Sequence, residues 1–110
     1  QVSSRSSKDT VKAANGTVFS VTVSSTATNI RYFQLHDQST NPQSASTPEL
    51  SIPVSGTTAS NAPTLLEFKP AVPVKFDNGI AFAISNAFGT FTSQSAQGYV
   101  NNYFVTVCYE

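Results

Sequence analysis

Apolar side chains recur at every second residue through several short runs of this chain, each closed by turn-forming residues, and no run carries a capped amphipathic pattern of helix length. A period of two places alternate side chains on opposite faces of a strand, so this pattern selects sheets with one face buried. In Thr17–Ser24, Phe19, Val21 and Val23 share one face, and Val18, Ser20 and Thr22 the other. Ile30–His36 (IRYFQLH) and Ile80–Ser85 (IAFAIS) read as further strands, and the last run, 99–108, closes the chain with Tyr103, Val105 and Val107 alternating with Phe104, Thr106 and Cys108. Shorter strands are expected at 50–54 and 65–69. The breaks are Asn15-Gly16, the polar loop 38–48 with Pro42 and Pro48, the segment SGTTASNAP, and the Pro70–Pro73 connector. Asn78-Gly79 between Phe76 and Ile80 favours a two-residue hairpin, since both residues tolerate positive φ. The segment AFGTFTSQSA (87–96) leaves room for one helical turn.

Six to eight short strands predict an all-β, single-domain antiparallel β-sandwich or small barrel. Its boundaries are 13–110, behind a flexible N-terminal arm at 1–12. The expected core is Phe19, Val21, Val23, Phe33, Leu35, Phe82, Ile84, Val105 and Val107.

Composition then narrows function. Charged residues are only 11%, against about 25% in an average globular domain, and Ser and Thr fill 29 of the 110 positions instead. Formal net charge is zero. Nucleic-acid binders need excess Lys and Arg to displace counterions, so none is expected as a partner. Weak surface charge gives little colloidal repulsion, which suits a protein held inside an assembly. A single cysteine, Cys108, excludes an internal disulfide framework and reads as a small buried hydrophobe. No run approaches the ~20 apolar residues of a membrane span, and none reads as a signal peptide.

Candidate sites are few. One histidine and one cysteine cannot build a His/Cys metal cage, and no glycine-rich phosphate loop or nucleophile elbow occurs. His36 and Asp37 are adjacent, so on a strand they face opposite ways and cannot orient one another as a catalytic pair. His36 reads as a strand-end residue and Asp37 as a turn former. Asp37, Glu49, Glu67 and Asp77 are scattered, without the spacing of a carboxylate pair or a calcium loop. Asn15-Gly16-Thr17 matches a glycosylation sequon but reads as a turn. Tyr32, Phe33, Tyr99, Tyr103, Phe104 and Tyr109 suit a core or an interface, with a stacking platform for ligand as the alternative. The expectation is no catalysis, no cofactor, no metal and no small-molecule substrate. The candidate partner-binding residues are Arg5, Lys8 and Lys12, three of the six basic residues, in a segment that is either a loose terminus or an arm ordering on a neighbouring subunit.

The runs IRYFQLHDQSTNP, TPELSIPVSGTT and VKFDNGIAFAIS together resemble small β-rich virion proteins of tailed bacteriophages. The likeness rests on Arg31, Tyr32, Gln34, Leu35 and Asp37; on Thr47, Pro48, Leu50, Pro53 and Val54; and on Phe76, Gly79, Ile80, Ile84 and Ser85. It spans residue 30 to about 107, through turn and strand patterns without a chemical signature. What the resemblance implies is a capsid decoration (cement) subunit, a homo-oligomer, expected as a trimer, bound to the major capsid protein. Such a protein would sit on the capsid surface of the virion and in the host cytoplasm during assembly. A tail, fibre or baseplate subunit and a carbohydrate-binding adhesin are the alternatives.

Overall fold

The computed structural model describes residues 2–4, 8–26, 29–43, 46–56, 63–90 and 103–110. Among the described residues there are nine strands, all paired antiparallel: β1 (Val2–Ser4), β2 (Lys8–Lys12), β3 (Gly16–Ser25), β4 (Arg31–His36), β5 (Leu50–Val54), β6 (Thr64–Phe68), β7 (Val74–Phe76), β8 (Ile80–Ser85) and β9 (Tyr103–Tyr109). One sheet, here sheet A, runs β1-β9-β3-β6, with β7 also on β3; the other, sheet B, runs β2-β8-β4-β5. Leaving out the short β7, this is the strand order of an eight-stranded jelly roll, in which the chain passes repeatedly from one sheet to the other. The all-β sandwich expected from the alternation is the fold.

The core lies where the inner faces meet. Val18, Val21, Val23, Tyr103, Val105 and Val107 of sheet A pack with Phe33, Leu35, Ile80, Phe82 and Ile84 of sheet B. Phe33 and Phe82 stack with ring centroids 6.0 Å apart. Eight of the nine expected core residues are fully buried or nearly so.

Phe19 is the correction, at 37% exposed. The β3–β9 register shifts between Val18 and Ser20, which oppose the consecutive residues Tyr109 and Cys108. Phe19 is therefore the extra residue of a bulge. Beyond it the faces exchange, so Val18 enters the core and Phe19 turns out. Cys108 is a second correction, because it is exposed. It follows Phe104 and Thr106 on the outer face of β9, where the alternation of that strand places it.

The segment 1–12 was expected to be an arm outside the sandwich. Instead, residues 2–4 and 8–12 contribute the edge strands β1 and β2, one in each sheet. Ladder pairing uses only backbone N–H and C=O groups, so a polar stretch pairs at a sheet edge without apolar alternation.

Asn78-Gly79 lies in a turn, but not in a hairpin of one sheet. β7 pairs with β3 in sheet A and β8 with β2 and β4 in sheet B, so the turn is a corner between the sheets. Asp37 holds it there. Its carboxylate accepts hydrogen bonds from the backbone N–H groups of Asp77 (3.2 Å), Asn78 (2.8 Å) and Gly79 (3.3 Å). Gly79 is required by close approach, since a Cβ there would lie 2.4 Å from the Gln38 carbonyl oxygen. Residues 87–90 form no helical turn, and 91–102, including Tyr99 and the start of the expected last strand, lie outside the described residues.

Candidate functional site

The two outer faces of the sandwich differ, and that difference locates the candidate site. Cross-strand partners share a face. On the outside of sheet B this groups Tyr32, Gln34 and His36 of β4 with Ala81, Ala83 and Ser85 of β8 and Lys8 and Thr10 of β2. Most of this face is covered by the protein's own loops. Asn41 Oδ1 accepts from Thr10 Oγ1 at 2.6 Å, and the buried Pro42 offers its carbonyl to Lys8 Nζ at 3.3 Å. The small side chains of Ala81 and Ala83 leave room for this cover, and every residue of β8 is buried.

Beneath that cover lies a polar relay. Gln34 Nε2 donates to the carbonyls of Ala87 (2.9 Å), Phe88 (3.3 Å) and Thr90 (3.0 Å). Ser85 Oγ donates to the Thr90 carbonyl and accepts from the Ala87 N–H. The Gln34 amide nitrogen is thus committed to the 86–90 loop, and its oxygen faces His36 Nε2 at 3.0 Å. That oxygen can only accept, so Nε2 carries the imidazole proton. Burial lowers the His36 pKa to about 4, and the ring is neutral at physiological pH. Asp37 faces the corner turn. Slight burial raises its pKa, and the three amide hydrogen bonds outweigh that and hold it below its ordinary value. Both groups therefore have structural duties, and they do not face each other as an acid–base pair.

Among the described residues, the outer side of sheet A leaves two large apolar side chains exposed on the strands adjoining β3, Leu65 and Phe104. Ser24 is in register with Leu65 of β6 and Phe104 of β9, so these three form a row across adjacent strands. Leu65 is 67% exposed and Phe104 44%. The next row is Glu67, Thr22 and Thr106, followed by Ser20 and Cys108. Glu67 is the one charge of these rows, and the exposed Lys75 of β7, opposite Thr17, adds a second on the outward phase of the sheet. Leu65 and Phe104 thus stand exposed on either side of Ser24, among Ser and Thr neighbours.

Of the sequence-derived partner residues, Arg5 lies outside the described residues. Lys8 and Lys12 lie on β2, an edge strand of sheet B, where Lys8 Nζ donates to the Pro42 carbonyl and Lys12 Nζ to the Glu110 carbonyl, each at 3.3 Å. They belong to the sandwich edge rather than to an extended arm. Among the aromatics, Phe33 and Tyr103 are core and Phe104 belongs to the outer face of sheet A. Tyr32 meets the exposed Phe88 edge-to-face, with centroids 5.6 Å apart and planes at 77°. Among the described residues, no three His, Cys, Asp or Glu side chains are grouped to hold a metal ion. The alternation of β6 and β9 contained the Leu65–Phe104 row, but only the cross-strand register shows the two flanking one serine.

Comparison with protein-family models, with curated proteins and with solved structures finds no match to this chain.

Proposed function

We propose that this protein is a structural subunit of a virion, a decoration protein that adds to the head shell and reinforces it through protein contacts. The carrying observation is the asymmetry of the sandwich. Sheet B is largely covered by its own loops, while sheet A leaves Leu65 and Phe104 open among Ser and Thr neighbours, with Glu67 and Lys75 as the charges on its outward phase. Unpartnered apolar residues in register are the surface of a protein that works in contact with others. The jelly-roll strand order supports the reading by analogy only, since that architecture serves viral capsid and lectin domains alike. The sequence resemblance to phage virion proteins points the same way.

In this reading the two kinds of contact use different surfaces. Lys8 and Lys12 on the β2 edge, with Arg5 just before them, meet acidic surface of the capsid protein, and the sheet A face meets other copies. Charge at an interface rim acts on association rate and salt dependence, so shell binding should weaken as salt rises. The test adds wild-type protein and the triple variant R5Q/K8Q/K12Q to undecorated shells, then measures occupancy and resistance to heat. The variant should occupy fewer sites at moderate salt while its melting temperature stays near wild type. Equal occupancy would remove the basic edge from the contact. A wild-type protein that ignores shells and copurifies with tails would replace the head role with the tail role.

A further inference from the structure

The corner between β7 and β8 joins a chemical weakness to a group that counters it. The fold demands Gly79, because a Cβ there would lie 2.4 Å from the Gln38 carbonyl oxygen. With Asn78 before it, that glycine makes a dipeptide prone to deamidation, since no side chain keeps its nitrogen from the asparagine amide. In that reaction the Gly79 nitrogen gives up its proton and attacks Asn78 Cγ. The amide leaves with that proton as ammonia, and a cyclic succinimide forms. Water then opens the ring at either carbonyl, giving aspartate or isoaspartate. Asp37 opposes both requirements of the attack. Its Oδ1 accepts from Asn78 N–H at 2.8 Å and Gly79 N–H at 3.3 Å, and its Oδ2 from Asp77 N–H at 3.2 Å. Three consecutive amides pinned to one carboxylate fix the backbone, whereas attack needs the Gly79 nitrogen within about 3 Å of Asn78 Cγ. The proton that must leave is held by an anion, and a neighbouring negative charge disfavours ionisation of that nitrogen. Gly79 is also buried, although Asn78 is exposed, so base from solvent has little access to the N–H.

We infer that Asn78 is a latent deamidation site and that Asp37 is its guard, the site reacting only when this carboxylate lets go of the turn. The inference concerns the chain's own chemistry and does not depend on the virion reading. Reaction would damage the corner that carries the chain from sheet A to sheet B. The product carboxylate at position 78 repels Asp37, and isoaspartate adds a backbone methylene to a turn already in close contact with Gln38. The chain holds one other Asn-Gly pair, Asn15-Gly16, whose glycine stands opposite Phe76 in the β3–β7 ladder. That pair is the internal reference for the guarded one.

The test ages wild-type protein, D37A, D37N and V23A at mildly alkaline pH, with urea-unfolded wild type as the reference, and follows isoaspartate by peptide mass spectrometry. Cleavage after lysine and arginine places Asn15 and Asn78 in different peptides, so every sample reports both sites. In folded wild type, Asn78 should react roughly tenfold or more slowly than in the unfolded chain, because attack waits on local opening. D37A should raise the Asn78 rate roughly fivefold relative to Asn15, the factor expected for losing a solvent-screened charged acceptor. D37N keeps an acceptor oxygen without the charge, and its rate should fall between those of wild type and D37A. Val23 is fully buried, toward the other end of β3 from the corner. V23A therefore loosens the fold as a whole and should leave the ratio of the two sites at its wild-type value. A folded Asn78 that reacts as fast as in urea would overturn the guard. So would a ratio that D37A leaves unchanged, or one that V23A raises as much as D37A does.

Discussion

Lowering the pH should destabilise this fold through one side chain. His36 is fully buried on β4, donates from Nε2 to Gln34, and shares its cross-strand row with Ala81 and Thr10, neither of them charged. Burial holds its pKa at about 4, against 6.5 for the exposed group. Above pH 6.5 both folded and unfolded chains carry a neutral ring, and the histidine leaves stability independent of pH. Between 6.5 and 4 the unfolded chain binds a proton that the folded chain refuses, so stability falls with pH. Below about 4 both states are protonated and the loss is complete. At 1.36 kcal/mol per unit, the shift corresponds to about 3 kcal/mol in total, of which about 2 kcal/mol is lost between about pH 7.5 and 5. His36 is the one histidine in the chain, and histidine is the side chain whose charge ordinarily changes in that upper window. Urea unfolding at a series of pH values measures the loss directly, with H36Q as the variant that cannot titrate. Wild-type stability should drop across the window and H36Q should stay level. A flat wild-type profile, or equal slopes in both proteins, would show that the ring is not held neutral by burial.

Truncating Phe82, which is fully buried and stacked on Phe33, should cost about 3–5 kcal/mol in denaturant unfolding, and a loss below about 1 kcal/mol would mean the faces of β8 are misassigned. D37A removes the acceptor of three turn amides and should destabilise by about 1 kcal/mol, below the usual range for charged acceptors because solvent screens the carboxylate; D37N should recover part of it. G79A drives a methyl group into the Gln38 carbonyl and should cost about 1–3 kcal/mol by the same assay.

The alternation made the inner faces of β3, β4, β8 and β9 legible, because a one-sided core imposes a period of two. It failed at Phe19, where neither glycine nor proline marks the bulge, and only the pairing with Tyr109 and Cys108 reveals the extra residue. β1 and β2 were illegible for a different reason: edge strands pair through backbone alone and need no apolar signature. The Asn-Gly turn was visible as a turn, but its role as a corner depends on Asp37, forty residues earlier in the chain. The candidate face was half legible. Leu65 and Phe104 stand on the outward phase of their strands, yet their meeting across Ser24 is a fact of register, which local sequence does not encode. The burial of Gln34 and His36 follows from loops folding over sheet B, a long-range event that reads locally as two polar residues in a strand.

The single thiol provides the most direct test that the chain meets its partners through sheet A. Cys108 is exposed on that face, in register with Ser20 and two rows from Leu65 and Phe104. Its rate of alkylation can be followed by mass spectrometry in dilute free protein and in assembled particles. The account expects prompt modification of the free chain and strong protection once it is assembled. Equal rates in both states would contradict it, because a thiol on the contact face cannot stay open to reagent when that face is covered.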